Sequence, residues 1–104
     1  MPIKVPRAGA NQMFNFVNDA EKAHFFIQLK GNNAGRPLRE KIPNSIGISV
    51  DERIFIPDYF YYLVLNLFNT GKFKPLLKGS VVPFIRQRDI VQAVLLSLVE
   101  RSES

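Results

Sequence analysis

The chain has no cysteine and only one histidine, His24. The first absence excludes a disulfide scaffold, thiolate catalysis and any zinc site built on Cys. The second excludes a two-His metal site and leaves little scope for imidazole chemistry; His24 reads as a hydrogen-bonding residue at an element junction. No apolar run approaches about 18 residues, so no transmembrane helix and no membrane partner are expected. The first residues, MPIKVPRAGANQ, include cations but no apolar stretch, and do not read as a signal peptide. There is no G-x-x-x-x-G-K-[ST] loop for nucleotide phosphates. Ser80, in GSVV, lacks the G-x-S-x-G setting of a nucleophile and has no His partner. Asp51, Glu52 and Glu40 offer carboxylates, but no spacing puts a third in register for Mg²⁺. Neither an enzyme nor a bound cofactor is expected. What is present is a 104-residue chain, 46% apolar, with a formal charge of +5. That describes one small basic domain, expected in the cytoplasm.

Punctuation divides the chain into a flexible arm at 1–10, a single α+β domain at 11–99 and a disordered polar tail at 100–104. Met13, Phe16, Val17 and Ala20 recur at helical spacing and predict a helix over 11–23. Phe25, Ile27 and Leu29 alternate with Phe26 and Gln28 and predict a strand over 24–30. KGNNAGRPLREKIPN, residues 30–44, is too rich in Gly, Pro and Asn for a regular element. Ile46, Ile48 and Val50 predict a second strand, ending at Asp51–Glu52. The clearest helix is 58–69, DYFYYLVLNLFN, opened by Pro57 and Asp58 and closed by Gly71. It is apolar around most of its circumference and should be buried on most sides. Residues 72–79 read as a turn broken by Pro75, and VVPFI at 81–85 as an edge strand. Asp89 can cap a last helix, with Val91, Val94, Leu95, Leu98 and Val99 on one stripe. The expected fold is a small curved, mostly antiparallel sheet packed with three helices.

Nine of the 14 basic residues fall in two irregular segments. The first holds Lys30, Arg36, Arg39 and Lys41 with one acid, Glu40; the second holds Lys72, Lys74, Lys78, Arg86 and Arg88 with none. Loops carry binding residues more often than regular elements do, and clustered cations attract polyanions. Asn32, Asn33 and Gln87 add side chains able to touch base edges. Arg86 and Arg88 precede the expected cap at Asp89, where two cations oppose the helix dipole and a bound anion would relieve them. Two readings stay open at several places. The charge is either a phosphate-binding surface or solubilising cover. Tyr59, Phe60, Tyr61, Tyr62 and Phe68 are either base-stacking surfaces or core. The glycines of KGNNAGRP either approach phosphate or simply shape turns.

The order of motifs resembles the target-recognition domain of type I restriction-modification specificity subunits. A strand leads into a K/R-G-N-x-G turn, here Lys30-Gly31-Asn32-Asn33-Ala34-Gly35. A second strand follows, then a P-x-y-L-Y-Y-x-L helix, here Pro57 to Leu65. The closing motif, G-S-x-V-P-x-I-x-x-x-D-I, is the most specific part and runs from Gly79 to Ile90. The resemblance covers about 60 residues. The same order is similar to small uncharacterised bacterial proteins associated with mobile elements, the nearer of the two. It implies a target-recognition-domain-like fold that recognises DNA through loops and leaves cleavage and methylation to partners. Gly31, Gly35, Gly79 and Ser80 match motif positions and are expected to shape turns. This chain is a half-sized unit, and only the helix from Asp89 could stand in for the family's long spacer.

Two functions follow as expectations. The first is a non-enzymatic DNA-binding module in which the cations neutralise phosphates while Asn32, Asn33, Gln87 and Arg88 touch bases. With about five phosphate contacts, log affinity would fall against log salt with a slope near −4 to −5. The second is a protein-interaction adaptor in a mobile-element or restriction complex, without DNA contact. There the apolar stripe of 89–99 either covers its own sheet or pairs with a protein partner or a second copy. Where the two basic segments lie in the fold decides between the two.

Overall fold

A computed structural model describes residues 13–103, with side chains through Glu100. The arm expected at 1–10 lies outside the described residues. The architecture is α+β: a four-stranded antiparallel sheet and two helices in two layers. Strands β1 (Phe14–Val17), β2 (Phe25–Gln28), β3 (Pro37–Leu38) and β4 (Ser45–Val50) lie in the order β1-β4-β2-β3. Helices α1 (Pro57–Asn69) and α2 (Gln87–Glu103) complete the domain.

The register separates the sheet into an apolar face and a mixed one, which carries Val17, Phe26 and Leu38 beside polar residues. Phe14 pairs with Val50, Phe16 with Ile48, Phe25 with Ile48 and Ile27 with Ile46. Directly opposed residues point the same way, so these side chains share one face. On the opposite face Asn15 meets Ser49, and Gln28 meets Ser45. Phe60, Leu63, Val64 and Leu67 of α1 and Ile90, Val94 and Leu98 of α2 complete one buried cluster with the apolar face. The rings of Phe14 and Phe60 lie 4.8 Å apart, and Phe25 meets Tyr61 edge-on at 5.3 Å.

The expected N-terminal helix is instead β1 followed by a short 3₁₀ turn at Ala20–Lys22. That leaves two helices rather than three. Phe14 and Phe16 fit a period of two as well as Met13, Phe16 and Val17 fit a helix, and so short a window cannot choose. The choice is tertiary: β1 covers the free edge of the apolar strand β4, and Asp51 N–H donates to the Met13 carbonyl at 2.8 Å. Asp19 accepts from Glu21 N–H at 3.0 Å and turns the chain toward β2. His24 then bridges strands, its Nδ1 accepting from Val50 N–H at 2.9 Å.

The other differences are local. The segment 30–44 is irregular except for the two residues of β3, which pair with Phe26 and Ile27. The expected strand at 81–85 is the far side of a tight hairpin: Lys78 and Phe84 exchange both backbone hydrogen bonds, at 2.8 and 2.9 Å. Gly79 at φ +90° turns the chain, and Val81 is 90% exposed at the tip. A proline without N–H and a glycine in the left-handed region suit a loop, not a ladder. Helix α1 ends as its sequence predicts. Gly71 takes φ +76°, its N–H donates to Phe68 O, and Lys72 N–H reaches Leu67 O at 2.9 Å, a paired C-terminal closure. Its burial is less complete than expected, because Tyr59 and Tyr62 are exposed. Helix α2 begins two residues earlier than predicted and continues through Glu103, so residues 100–103 prolong the helix where a polar tail was expected. Among the described residues no helix is long and apolar enough to cross a membrane.

Candidate functional site

The two basic segments are neighbours. Ile85 N–H donates to Leu29 O at 2.9 Å and Gly31 N–H to Pro83 O at 2.8 Å, stitching the end of the hairpin to the start of the first loop. Phe84 thereby pairs on one side with Lys30 and on the other with Lys78, antiparallel in both cases. Paired residues share a face, and neighbouring strands lie about 4.8 Å apart, so Lys30, Phe84 and Lys78 stand side by side. All three are exposed; Phe84 retains 37% of its surface in water. The ring rests partly over Gly79, where an added Cβ would come within 3.2 Å of it. An aromatic face between two lysines is the outcome.

Beside this face is a cleft of about 480 Å³, formed where the first loop meets the end of α1. Asn32 and Asn33 form one wall, Asn69, Thr70 and Lys74 the other, with Phe68, Phe73 and Leu77 among them. Among the described residues no hydrogen bond occupies the amides of Asn32, Asn33 or Asn69. Gly35 keeps the loop close: at φ +99°, it lies so near Phe73 that a Cβ would approach the ring to 2.7 Å. Its N–H donates to Gln28 O at 2.7 Å.

The remaining cations sit elsewhere or are already engaged. Arg36 is half-buried, its Nη2 donating to Gln28 Oε1 at 3.3 Å, while Gln28 Nε2 donates to Lys30 O at 2.7 Å. Arg39 lies over the Tyr61 ring at 3.7 Å and pairs with Asp58 at 3.0 Å. Arg86 donates through Nε to the nearly buried Asp89 at 2.8 Å. That internal pair supplies the negative charge that two cations at a helix start would otherwise draw from a ligand. Arg86 O accepts from Ile90 N–H and so opens α2, placing Asp89 in its first turn. Gln87 is the first helical residue, and Arg88 lies on the outer side of α2. Lys72 lines a groove between the end of α1 and α2, and Lys41 is exposed ahead of β4. Ser80 is exposed in the hairpin. Of the twelve expected DNA contacts, the backbone pairing aligns Lys30 and Lys78 with Phe84, and the cleft gathers Asn32, Asn33 and Lys74.

Sequence reasoning missed Phe84. Its neighbours along the chain, Pro83 and Ile85, gave it the look of a strand interior. The signal available was Gly79 with Pro83, which marks a loop. The pairing with Lys30 is long-range and has no local signature.

Two of the candidate carboxylates, Asp51 and Glu52, lie beside basic side chains. Asp51 accepts from Arg53 through Nε at 3.0 Å and Nη2 at 2.8 Å, and these bonds hold its carboxyl below the usual carboxylate range. Glu52 lies 3.7 Å from His24 Nε2. Among the described residues no group of three or more His, Asp or Glu side chains gathers as a metal site would.

A family profile matches residues 12–103, spanning every element from β1 to α2. The chain belongs to DUF6943, a family of unknown function. No curated protein and no solved structure matches it. The DUF6943 match takes in the whole Lys30–Phe84–Lys78 surface as well as the cleft.

Proposed function

We propose that this protein is a non-enzymatic nucleic-acid-binding module that holds unpaired DNA bases on the Lys30–Phe84–Lys78 face. One observation carries the reading: backbone pairing places an exposed aromatic ring between two lysines. Single-strand binders need a ring on which a base can stack and cations spaced along the backbone. Phe84 supplies the ring. Lys30 and Lys78 supply the charges, and Asn32, Asn33 and Lys74 extend the surface into the adjacent cleft. A cytoplasmic location and the resemblance to a restriction recognition domain belong to the same proposal. Its support is that the GSVVPFI segment and the KGNNAG segment pack against each other, as two halves of one recognition loop would.

The test is binding of a fluorescent oligothymidylate at low salt. Phe84→Ala should weaken binding about 5- to 150-fold, the range expected from losing one stacked base at about 1–3 kcal/mol. Lys30→Glu with Lys78→Glu should abolish it, with melting temperatures close to that of the parent because all three side chains are exposed. Undiminished binding by these variants would contradict the proposal.

A second reading, a protein-interaction adaptor, draws on the start of α1. There Ile56 is 73% exposed, close in sequence to the exposed Ile54, Tyr59 and Tyr62. Exposed apolar side chains gathered together mark interaction surfaces. A stoichiometric partner complex lost on Ile56→Glu but retained by Phe84→Ala would favour this reading.

A further inference from the structure

Helix α2 carries more apolar surface than the rest of the described domain covers. Ile90, Val94 and Leu98 are buried, whereas Val91, Leu95 and Val99 are only half-buried and Leu96 is 59% exposed. A shallow trough runs between the rows, bounded by Arg88 at one end and Val99 at the other. Residues four apart are neighbours on a helix surface, so Arg88, Gln92, Leu96 and Glu100 form one exposed ridge that rises about 18 Å and winds about 120° round the axis.

The charges on this row are the wrong way round for an isolated helix. Arg88 is the second residue, beside the positive end of the macrodipole, and Glu100 lies in the last turn, beside the negative end. Neither belongs to an ion pair among the described residues. A second copy, antiparallel, facing Gln92 and Leu96 and centred at the height of the inward-facing Val94, sets each Arg88 beside its partner's Glu100. It also brings Leu96 and Leu95 of both copies against the trough. One two-fold operation then satisfies both misplaced charges at once, because the row carries opposite signs at equal distances from its centre.

We propose that the protein self-associates as an antiparallel dimer through the outer face of α2, with two symmetric Arg88–Glu100 pairs flanking an apolar seam. This contact uses residues apart from the Lys30–Phe84–Lys78 face and does not depend on nucleic-acid binding. A single helix pair buries less than a standard interface, which places the dissociation constant in the micromolar range or weaker.

Sedimentation equilibrium of the full chain tests it. The parent chain should dimerise. Leu96→Asp should give a monomer with an unchanged circular dichroism spectrum. Arg88→Glu should weaken association about tenfold, since it replaces two attractive contacts by two repulsive ones. Arg88→Glu with Glu100→Arg should restore it, which a parallel arrangement or a general loss of apolar contact cannot reproduce. The absence of native cysteine allows a direct orientation check. Mixed Gln92→Cys and Leu96→Cys chains should form disulfide heterodimers faster than either variant forms homodimers. A chain that stays monomeric near millimolar concentration, or a dimer indifferent to Leu96→Asp and to the charge exchange, would overturn the proposal.

Discussion

At the scale of the residue, side chains of one type have quite different roles here. Three arginines that looked like phosphate ligands are engaged by neighbouring side chains: Arg36 by Gln28, Arg39 by Tyr61 and Asp58 at the surface, and Arg86 by Asp89. Among the described residues the lysines of the same segments have no such partners, which is why the candidate surface is made of lysine. Charge counting reveals the segments but not this division, because the partners are remote in sequence or lie on the next helical turn. The glycines were more legible. Gly35→Ala combines a positive φ with a Cβ driven into the buried Phe73 ring, so it should destabilise the fold by about 2–4 kcal/mol. A urea titration checks this, with the midpoint falling and the slope unchanged. For Asp51, the hydrogen bonds from Arg53 lower the carboxyl pKa. The pair's contribution is therefore fully present above the unfolded carboxylate pKa and is lost as pH falls through the folded value. Arg53→Ala should move the Asp51 titration upward, read from its side-chain carbon resonance in NMR.

At the scale of the element, local grammar succeeded where the determining contacts are local. Pro57 and Gly71 mark the ends of α1 and β4 shows plain alternation, and both elements were legible within one residue. It failed at β1, whose few apolar residues satisfy two periods and whose identity depends on the edge of β4. It failed again at 81–85, where β-branched residues and Phe84 suggested a strand while Gly79 and Pro83 dictated a hairpin. The hairpin is the element on which the proposed function rests, because it holds Phe84 between the lysines. In Gly79→Val, a Cβ would meet Val82 O at 2.6 Å and the positive φ would be strained. That variant should lose about 1–3 kcal/mol of stability and loosen Phe84, so that oligonucleotide affinity falls although no contacting side chain has changed. Loss of affinity with an intact hairpin, seen as unchanged Lys78 and Phe84 amide exchange, would separate the two effects.

At the scale of the whole molecule, the charge of +5 is less informative than its distribution. One edge presents Lys30, Lys78 and Lys74 around an aromatic ring and an amide-lined cleft. The outer face of α2 presents a different, self-complementary surface, and the start of α1 a third, apolar one. With three lysines in reach of phosphate, log affinity for single strands should fall against log salt with a slope near −2, shallower than a count of all loop cations suggests. A slope of about −4 or steeper would mean that Arg88, Lys72 and Lys41 all reach the ligand as well. The fold was legible as α+β and the basic loops as neighbours of a helix. Their junction through Phe84 was not, since no sequence pattern encodes a pairing between residues so far apart.

The most direct measurement uses the ring itself. The chain has no tryptophan, so Phe84→Trp creates a single tryptophan, with fluorescence excited apart from the tyrosines, at the centre of the proposed face. Titration with oligothymidylate should quench that emission with the same midpoint as the binding curve, and Lys30→Glu in the same background should shift both together. Binding that leaves the Trp emission unchanged would contradict the claim that bases stack at this position.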